Sequence, residues 1–454
     1  MNRQQISLTQ GSIWKAILFF AFPIFLGQVF QQLYNTFDAW CVGYFINDNA
    51  MGAVTSSGSL IFLMVSFFNG LAMGAGVVIA RYYGAKNDDA VSKTIHTAIA
   101  FGLCTGTALT VAGITCTPII LRWMGAPEDT MVYSIPYFRF YFCGAIFTVM
   151  YNIFVGIHHA VGDSKHPLYY LICSTMVNIV LDLLFVGVMG FGVGSAALAT
   201  TISQGISALL CCIHLMRSTG PARLYLRKIR FHWKNLQEIF RFGLQSAIQN
   251  SVIALANVVV QSNIFAFGPD AVNGCGAYSK LEGFAFLPVM CFSQSLSTFT
   301  GQNLGAEQHD RVKKGVGFGI VCSLIMAQIV GLLSYIFAPQ LIGFFAKSEA
   351  AIAYGTQHMR TICLFYGLLA FSHCIAGIMR GAGKATVPMF TMLACWCVIR
   401  VSYITIAVKF APKLTTVSWA YPLTWTLSSV VFLIYFLKAD WIHNFDRQKA
   451  KKAT

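Results

Sequence analysis

Long apolar stretches separated by short polar segments recur from one end of this 454-residue chain to the other. Each has about 20 or more residues, the length that an α-helix needs to cross a bilayer. Barrel strands would be shorter and would alternate strictly between apolar and polar residues, so the pattern predicts helices. Twelve spans are predicted, at 14–41, 53–80, 91–116, 131–157, 167–188, 193–216, 236–265, 272–300, 312–337, 352–378, 388–409 and 417–438.

The second half of the chain repeats the first at a fixed offset of 221 positions. Pairs that coincide at this offset are Gly84 and Gly305, Arg139 and Arg360, Gly156 and Gly377, Gly162 and Gly383, and Pro167 and Pro388. Such self-similarity predicts two copies of one structural unit. Six spans separate a residue from its repeat partner, and six is even, so both copies should have the same orientation in the membrane.

The predicted fold class is therefore an all-α polytopic membrane protein with twelve transmembrane helices in two six-helix lobes. A pseudo-two-fold axis along the membrane normal should relate the lobes, as in parallel-repeat transporters. The N-terminal lobe is predicted at 1–216 and the C-terminal lobe, with a short cytoplasmic tail, at 236–454; a basic cytoplasmic linker at 217–235 joins them. A repeat without mechanical meaning is the alternative. Glycines within spans, such as Gly70, Gly74 and Gly76, predict close helix contacts.

Composition supports the membrane prediction, since 56% of the residues are hydrophobic and only 10% are charged, against about 25% charged in soluble domains. With the N-terminus inside, the predicted inner segments hold 23 of the 31 Lys and Arg residues, and the outer loops hold four. This asymmetry predicts a multi-pass plasma-membrane protein with both termini in the cytoplasm. It also accounts for most of the net charge of +15 without a nucleic-acid partner.

The chain offers little for other chemistry. Almost all residues outside the spans are in short loops, so we expect no separate enzymatic domain. The 14 cysteines show no zinc spacing and suggest no disulfide framework. His158, His159 and His166 fall in a predicted inner loop, where we expect them to be solvated rather than metal-binding.

Three acidic residues lie inside predicted spans: Asp38, Asp182 and Glu282. A carboxylate in the bilayer costs roughly 3 kcal/mol or more, so each is a functional-site hypothesis by default. Asp38 ends a polar stripe whose spacing of three and four places it on one helix face. The stripe contains Gln28, Gln31 or Gln32, Asn35 and Asp38.

A proline precedes this stripe. Pro23 removes one helical hydrogen bond and permits a bend, so a bendable helix carrying Asp38 is a candidate ion-operated switch. A polar face that only packs against other helices is the alternative.

Asp182 and Asn178 are stacked by their i,i+4 spacing in the fifth span, and Thr200 in the sixth could add an oxygen. Together with Asp38, these groups would suit Na⁺, which prefers several oxygen ligands. The same cluster could instead hold a proton, because burial and a neighbouring acid both favour the protonated carboxyl group. We expect no other metal, and the sequence does not choose between the two ions.

The second half carries a polar but uncharged stripe that includes Gln249 and Asn257. The repeat partner of Asp38 is Val259 and that of Asp182 is Tyr403. Ion coupling is therefore predicted in the first lobe, with the second lobe helping to hold substrate. Glu282 either takes part in substrate binding or coupling, or forms a local ion pair near the helix end.

Taken together, these features resemble the multidrug and toxic compound extrusion (MATE) family over nearly the whole chain. The motifs that carry the resemblance are Pro23 with Asp38 and Gly43, Arg81-x-x-Gly84-Ala85, Asn178-x-x-x-Asp182, Gln302-Asn-x-Gly305-Ala306 and Arg380-Gly-x-Gly383. Acids that the NorM-like branch has in helices seven and ten are absent here, so the chain resembles the DinF-like branch more.

The resemblance implies a secondary active antiporter that exports small organic, cationic compounds in exchange for H⁺ or Na⁺, by alternating access between two lobes. It implies no cofactor, a monomer in the lipid bilayer, and cation coupling at Asp38, Asn178, Asp182 and Thr200, with the bend at Pro23. The substrate cavity is predicted to include Gln28, Gln32, Asn35, Gln249, Asn257 and Glu282. A flippase for lipid-linked saccharides of the same superfamily is the alternative, and a membrane-embedded enzyme is less favoured.

Overall fold

A computed structural model describes residues 8–45, 66–67, 69–123 and 128–443, and these residues are almost entirely helical. The first half contains α1 (Ile13–Phe45), α2 (69–84), α3 (Asp88–Trp123), α4 (Glu128–Cys143), α5 (Ala145–Ala160), α6 (Lys165–Asp182) and α7 (Gly194–Arg217). The second half contains α8 (Trp233–Phe265), α9 (Pro269–Ala285), α10 (Leu287–Gly305), α11 (His309–Ile336), α12 (Ala338–Phe345), α13 (Glu349–Cys363), α14 (Tyr366–Gly381), α15 (Thr386–Met392), α16 (Arg400–Phe410), α17 (Leu414–Ser418) and α18 (Ala420–Lys438).

Eight of the described helices or helix runs are long and apolar enough to cross a membrane, or ten if each of two bent helix pairs is one span. They coincide with ten of the twelve predicted spans. The span predicted at 272–300 consists of two helices, α9 and α10, and Phe286 lies between them. The span predicted at 53–80 contains α2, but its residues before 66 lie outside the described part of the chain.

Two spans predicted as single helices are bent. The α4–α5 pair is bent by 46° and the α13–α14 pair by 54°. The second helix of each pair starts at Ala145 and Tyr366, 221 positions apart. The repeat therefore fixes the site of the bend, which hydrophobic patterning alone did not reveal.

Backbone conformation repeats at the same offset. Lys86 and Glu307 have positive φ values of 54° and 59°, and Gly162 and Gly383 have 88° and 73°. Such values are uncommon for residues other than glycine. The amide of Asn87 donates to the carbonyl of Tyr82, and the equivalent Gln308 amide donates to Asn303. The internal repeat predicted from the sequence is thus present in the turns that follow α2 and α10.

Glycines allow close helix packing, as predicted. A Cβ atom at Gly74 would overlap the backbone of Gly243 on α8, and one at Gly70 would overlap Ala247. Gly76 faces the carbonyl of Gly156 on α5, where a Cβ atom would lie at 3.4 Å. Small residues let backbones approach in this way, which gives dispersion contacts that apolar lipid does not replace.

The described residues form two compact units. One consists of the described residues within 26–247, and the other of those within 8–25 and 248–443. This division differs from the predicted lobes at two places. The start of α1, predicted in the N-terminal lobe, belongs to the second unit, and residues 233–247 of α8, predicted in the linker and the C-terminal lobe, belong to the first. Within the first unit α3 packs on α4 and α5, and α6 on α7; within the second, α14 packs on α10 and α11.

Candidate functional site

Acidic and amide side chains meet inside the first unit. The Thr200 hydroxyl on α7 donates to Asp38 Oδ2 on α1 at 3.1 Å. Asp182 on α6 lies within hydrogen-bonding reach of Asp38, and Asn178 lies beside them. The structure therefore brings together the four residues assigned to cation coupling by the sequence.

The helix that carries the second acid changes its winding there. Asp182 is the last residue of α6, and a π-helical turn follows at Leu183–Val188. Wider π turns inside α-helices occur frequently at functional sites. Asn178 and Asp182 are both fully buried, as expected for one face of α6 that points into the unit.

Several oxygen atoms of this cluster are buried without a hydrogen-bond partner among the described residues. They are Asp38 Oδ1, Asn178 Oδ1, Asp182 Oδ1 and Asp182 Oδ2. Buried polar atoms normally have partners, and an unpaired one costs about 1–3 kcal/mol. The Asn178 amide nitrogen, a donor, is unpaired too, but acceptor oxygens from two acids and one amide predominate, and such a set is chemically suited to binding a cation.

Sequence reasoning missed Tyr34, which lies one helical turn before Asp38. Tyr34 is buried, and its hydroxyl oxygen also lacks a partner among the described residues. The i,i+4 spacing to Asp38 was the signal that could have found it. The phenol adds a further oxygen on the same face of α1.

The other residues predicted on α1 are more accessible. Gln28 and Gln32 are half-buried, and Asn35 is exposed. Pro23 is buried, and α1 runs through it as one helix. Of the polar residues on α1, Asp38 belongs to the acid cluster and Tyr34 lies beside it, whereas Gln28, Gln32 and Asn35 are not part of the cluster.

A different polar cluster lies in the second unit around a buried arginine. Arg400 donates to Asn257 Oδ1 at 3.2 Å and to the Thr424 hydroxyl at 2.9 Å. Its guanidinium carbon lies 4.6 Å from the ring centre of Tyr421 and 5.4 Å from that of Trp396. Asn257 is thus bound to a permanent cation, which the sequence analysis did not foresee.

Glu282 belongs to the second unit as well. Its Oε1 accepts a hydrogen bond from Tyr278 at 2.9 Å. Lys280, two residues earlier, is the basic residue that could form the local ion pair with Glu282, but its ammonium lies over the ring of Phe345. Gln249 is buried and donates to Met392 Sδ. These residues do not form one cluster in the way that the first-unit acids do.

The expectation of solvated histidines is wrong for His158, which is 1% exposed. Asp163, in the turn after α5, is 2% exposed and accepts a hydrogen bond from His166 at 2.8 Å. Burial opposes ionisation of Asp163, but this hydrogen bond and the neighbouring imidazoles outweigh it and hold the pKa of Asp163 below its ordinary value.

The fold and the site define a class, an internally repeated all-helical membrane protein with acids buried in its spans. A model of the MatE family matches residues 23–184 and 244–406, two segments that start 221 residues apart. The chain belongs to the MATE family. This match confirms the resemblance and the repeat offset, while the DinF-like and NorM-like branches stay undistinguished.

Known relatives extend over nearly the whole chain. It is 28% identical over 397 residues to a probable multidrug resistance protein, YoeA, of Bacillus subtilis, covering 86% of each chain. It is 24% identical to the probable multidrug resistance protein NorM of Thermotoga maritima, covering 94% of this chain and 93% of the other.

Solved structures show the same fold. An outward-facing multidrug resistance MATE family transporter matches with a TM-score of 0.91 at 22% identity, covering 96% of this chain and 97% of the other. A transporter of the same superfamily from Pyrococcus furiosus, described as having a binding pocket of reversed polarity, matches with a TM-score of 0.90 and full coverage of both chains. The predicted fold class, twelve transmembrane helices in two lobes, is confirmed.

Proposed function

We propose that this protein is a secondary active antiporter that exports organic, cationic compounds in exchange for H⁺ or Na⁺. The observation that carries the proposal is the group of buried, unpaired oxygen atoms on Asp38, Asn178 and Asp182. Two neighbouring buried carboxylates repel each other and are stable only when a cation or proton lies between them. Loading and release of that cation supply the coupling. Family membership supports export as the direction.

The first unit holds the coupling site. The positions equivalent to Asp38 and Asp182 in the second half carry Val259 and Tyr403, which offer no carboxylate. Sodium would take oxygen ligands from the two acids, Asn178 and Thr200. A proton would need only the carboxyl pair, so both ions stay in the proposal.

Substrate recognition is proposed for the remaining polar residues. Gln28, Gln32 and Asn35 present amides along α1, while Gln249, Asn257 and Glu282 belong to the second unit. Tyr421 and Trp396 lie against the guanidinium of Arg400, and aromatic faces of this kind attract cations in general. We further propose a monomer in the plasma membrane with both termini in the cytoplasm. No cofactor, catalytic step or nucleic acid is required.

The alternative, a flippase for lipid-linked saccharides, needs cationic groups available for a pyrophosphate. Arg81, Arg380 and Arg400 are buried among the described residues. Only Arg400 falls within a predicted span, and Asn257 and Thr424 already accept its hydrogen bonds. This arrangement favours the antiporter.

The first prediction concerns Asp38→Asn, which removes one charge from the cluster with little change of shape. In proteoliposomes loaded with a fluorescent organic cation, we expect wild-type transport under either a pH gradient or a Na⁺ gradient. Asp38→Asn should abolish that transport, because a neutral amide no longer needs a coupling cation. The gradient that drives transport by the wild type identifies the coupling ion.

Asp310→Asn is the matched control, since Asp310 is an exposed acid at the start of α11. It should transport at the wild-type rate. Equal transport by wild type and Asp38→Asn would exclude the coupling role of this cluster. No wild-type movement under either gradient would count against cation export itself.

A further inference from the structure

Three groups that commonly bind metals converge at one end of the first unit. His158 lies near the end of α5, Asp163 in the following turn, and His214 in the last turn of α7. One ligand atom from each lies within 4.8 Å of the other two. None of the three takes part in the proposed cation-coupling cluster.

The hydrogen bonds of His158 determine which nitrogen is free. Its Nδ1 lies 2.8 Å from the carbonyl oxygen of Phe154, and a carbonyl only accepts, so Nδ1 carries the proton. In the neutral ring Nε2 then has a lone pair. That atom is buried and has no partner among the described residues. A metal ion would satisfy it, and the carbonyl bond is the kind of support that orients metal-binding histidines.

His214 is supported in a similar way. Its Nδ1 lies 2.9 Å from the Tyr170 hydroxyl, and its Nε2 lies 3.8 Å from Asp163 Oδ2. When Nδ1 donates to Tyr170, the lone pair of Nε2 is directed to the side of Asp163. The His214 side chain is 25% exposed, which gives an ion a path of entry.

The second unit offers an internal comparison. At the 221-residue offset, the positions of His158, Asp163 and His214 carry Met379, Lys384 and Tyr435. There the Lys384 ammonium lies 5.9 Å from the ring centre of Tyr435 and donates to the backbone carbonyl of Asp440. The second unit thus supplies its own cation at this junction, whereas the first unit supplies cation ligands.

We propose that His158 Nε2, Asp163 Oδ2 and His214 Nε2 bind one divalent transition-metal ion, with Zn²⁺ as the best match. Two imidazoles and one carboxylate are a common zinc ligand set, and the fourth position falls to water or to the adjacent His166. Tetrahedral ligands at the usual bond lengths are separated by about 3.4 Å, so the side chains move inward by about 1 Å on binding. The ion would fasten α7, which carries Thr200, to the end of α5.

The test uses the full chain with an affinity tag that contains no histidine, stripped with EDTA and titrated with zinc chloride. We expect one ion bound per chain by calorimetry and by elemental analysis. His214→Asn, at a partly exposed position, should weaken binding by at least about 100-fold. Tyr170→Phe, which acts only by orienting His214, should weaken it by about tenfold, since outer partners contribute 10- to 100-fold. Co²⁺ should give visible absorption bands typical of tetrahedral coordination.

His443→Ala is the matched control, because Asp440 and His443 repeat the i,i+3 spacing of Asp163 and His166 at an exposed place. It should bind zinc like the wild type, and so should Asp38→Asn, which separates this site from the coupling cluster. The proposal would be overturned if the wild type shows no saturable zinc binding. It would also be overturned if His214→Asn binds zinc with the wild-type affinity while its melting temperature in EDTA equals that of the wild type. Transport is not the readout, so the outcome does not depend on the proposed function.

Discussion

Arg400 illustrates how a buried charge is stabilised in this protein. The side chain is 1% exposed, donates hydrogen bonds to Asn257 and Thr424, and lies against Tyr421 and Trp396. The planar guanidinium serves two acceptors and two rings at once, which a lysine ammonium cannot reproduce. Its arrangement thus depends on shape as well as on charge.

Arg400→Lys is therefore expected to lower the stability of the second unit by about 2–4 kcal/mol, since each hydrogen bond to a charged group contributes about 1.5–3 kcal/mol. Thermal unfolding followed by tryptophan fluorescence measures the change. Lys409→Arg, at an exposed position at the other end of α16, should leave the midpoint unchanged. An unchanged midpoint in Arg400→Lys would mean that the hydrogen bonds contribute little.

At the residue scale, the sequence reveals part of the acid cluster where charge and helical spacing coincide. Asp38 and Asp182 were visible as acids inside spans, and the i,i+4 rule placed Asn178 beside Asp182. Arg400 is a charged residue within the span predicted at 388–409, but its partners on α8 and α18 lie 143 and 24 positions away along the chain. The His158–His214 pairing is likewise a tertiary contact between two helices, and no local period reveals it.

At the scale of elements, the packing of α2 on α8 depends on the absence of a side chain. Gly74 meets the backbone of Gly243, which cannot move aside as a flexible side chain would. Helices in lipid gain stability from such contacts because apolar burial alone provides little driving force there.

Gly74→Ala should destabilise the protein, because the added methyl group overlaps backbone atoms and forces the two helices apart. Gly317→Ala is the comparison, since nothing lies within 4 Å of a Cβ atom at that position in α11. It should be neutral or stabilising by up to about 1 kcal/mol, the helix preference of alanine over glycine. The measurement is the melting temperature of each variant in the same detergent. A melting temperature of Gly74→Ala equal to or above that of Gly317→Ala would contradict the packing argument.

The existence of most helices could be predicted because apolar length is a strong signal. The bends at the α4–α5 and α13–α14 junctions could not, since residues on both sides remain apolar. The π turn after Asp182 was also invisible, because a single wider turn barely changes the hydrophobic pattern.

At the scale of the whole molecule, the distribution of basic residues predicts orientation. Alkaline phosphatase fused after residue 347, in a predicted outer loop, should be active, and after residue 223, in the predicted linker, inactive. Green fluorescent protein at the same two sites should give the opposite pattern, since it fluoresces only when it folds in the cytoplasm. Active phosphatase after residue 223 would reverse the predicted topology.

The paired left-handed turns at Lys86 and Glu307 bear on how such a chain could arise. A left-handed conformation is strained in a residue other than glycine. Two such residues separated by the repeat offset of 221 positions would rarely occur by chance. They are best explained as inherited from a single ancestral gene for six helices. Six is an even number, so that ancestor began and ended on one side of the membrane. Tandem fusion of two such genes needs only a connector on that side, and each descendant half then became free to specialise.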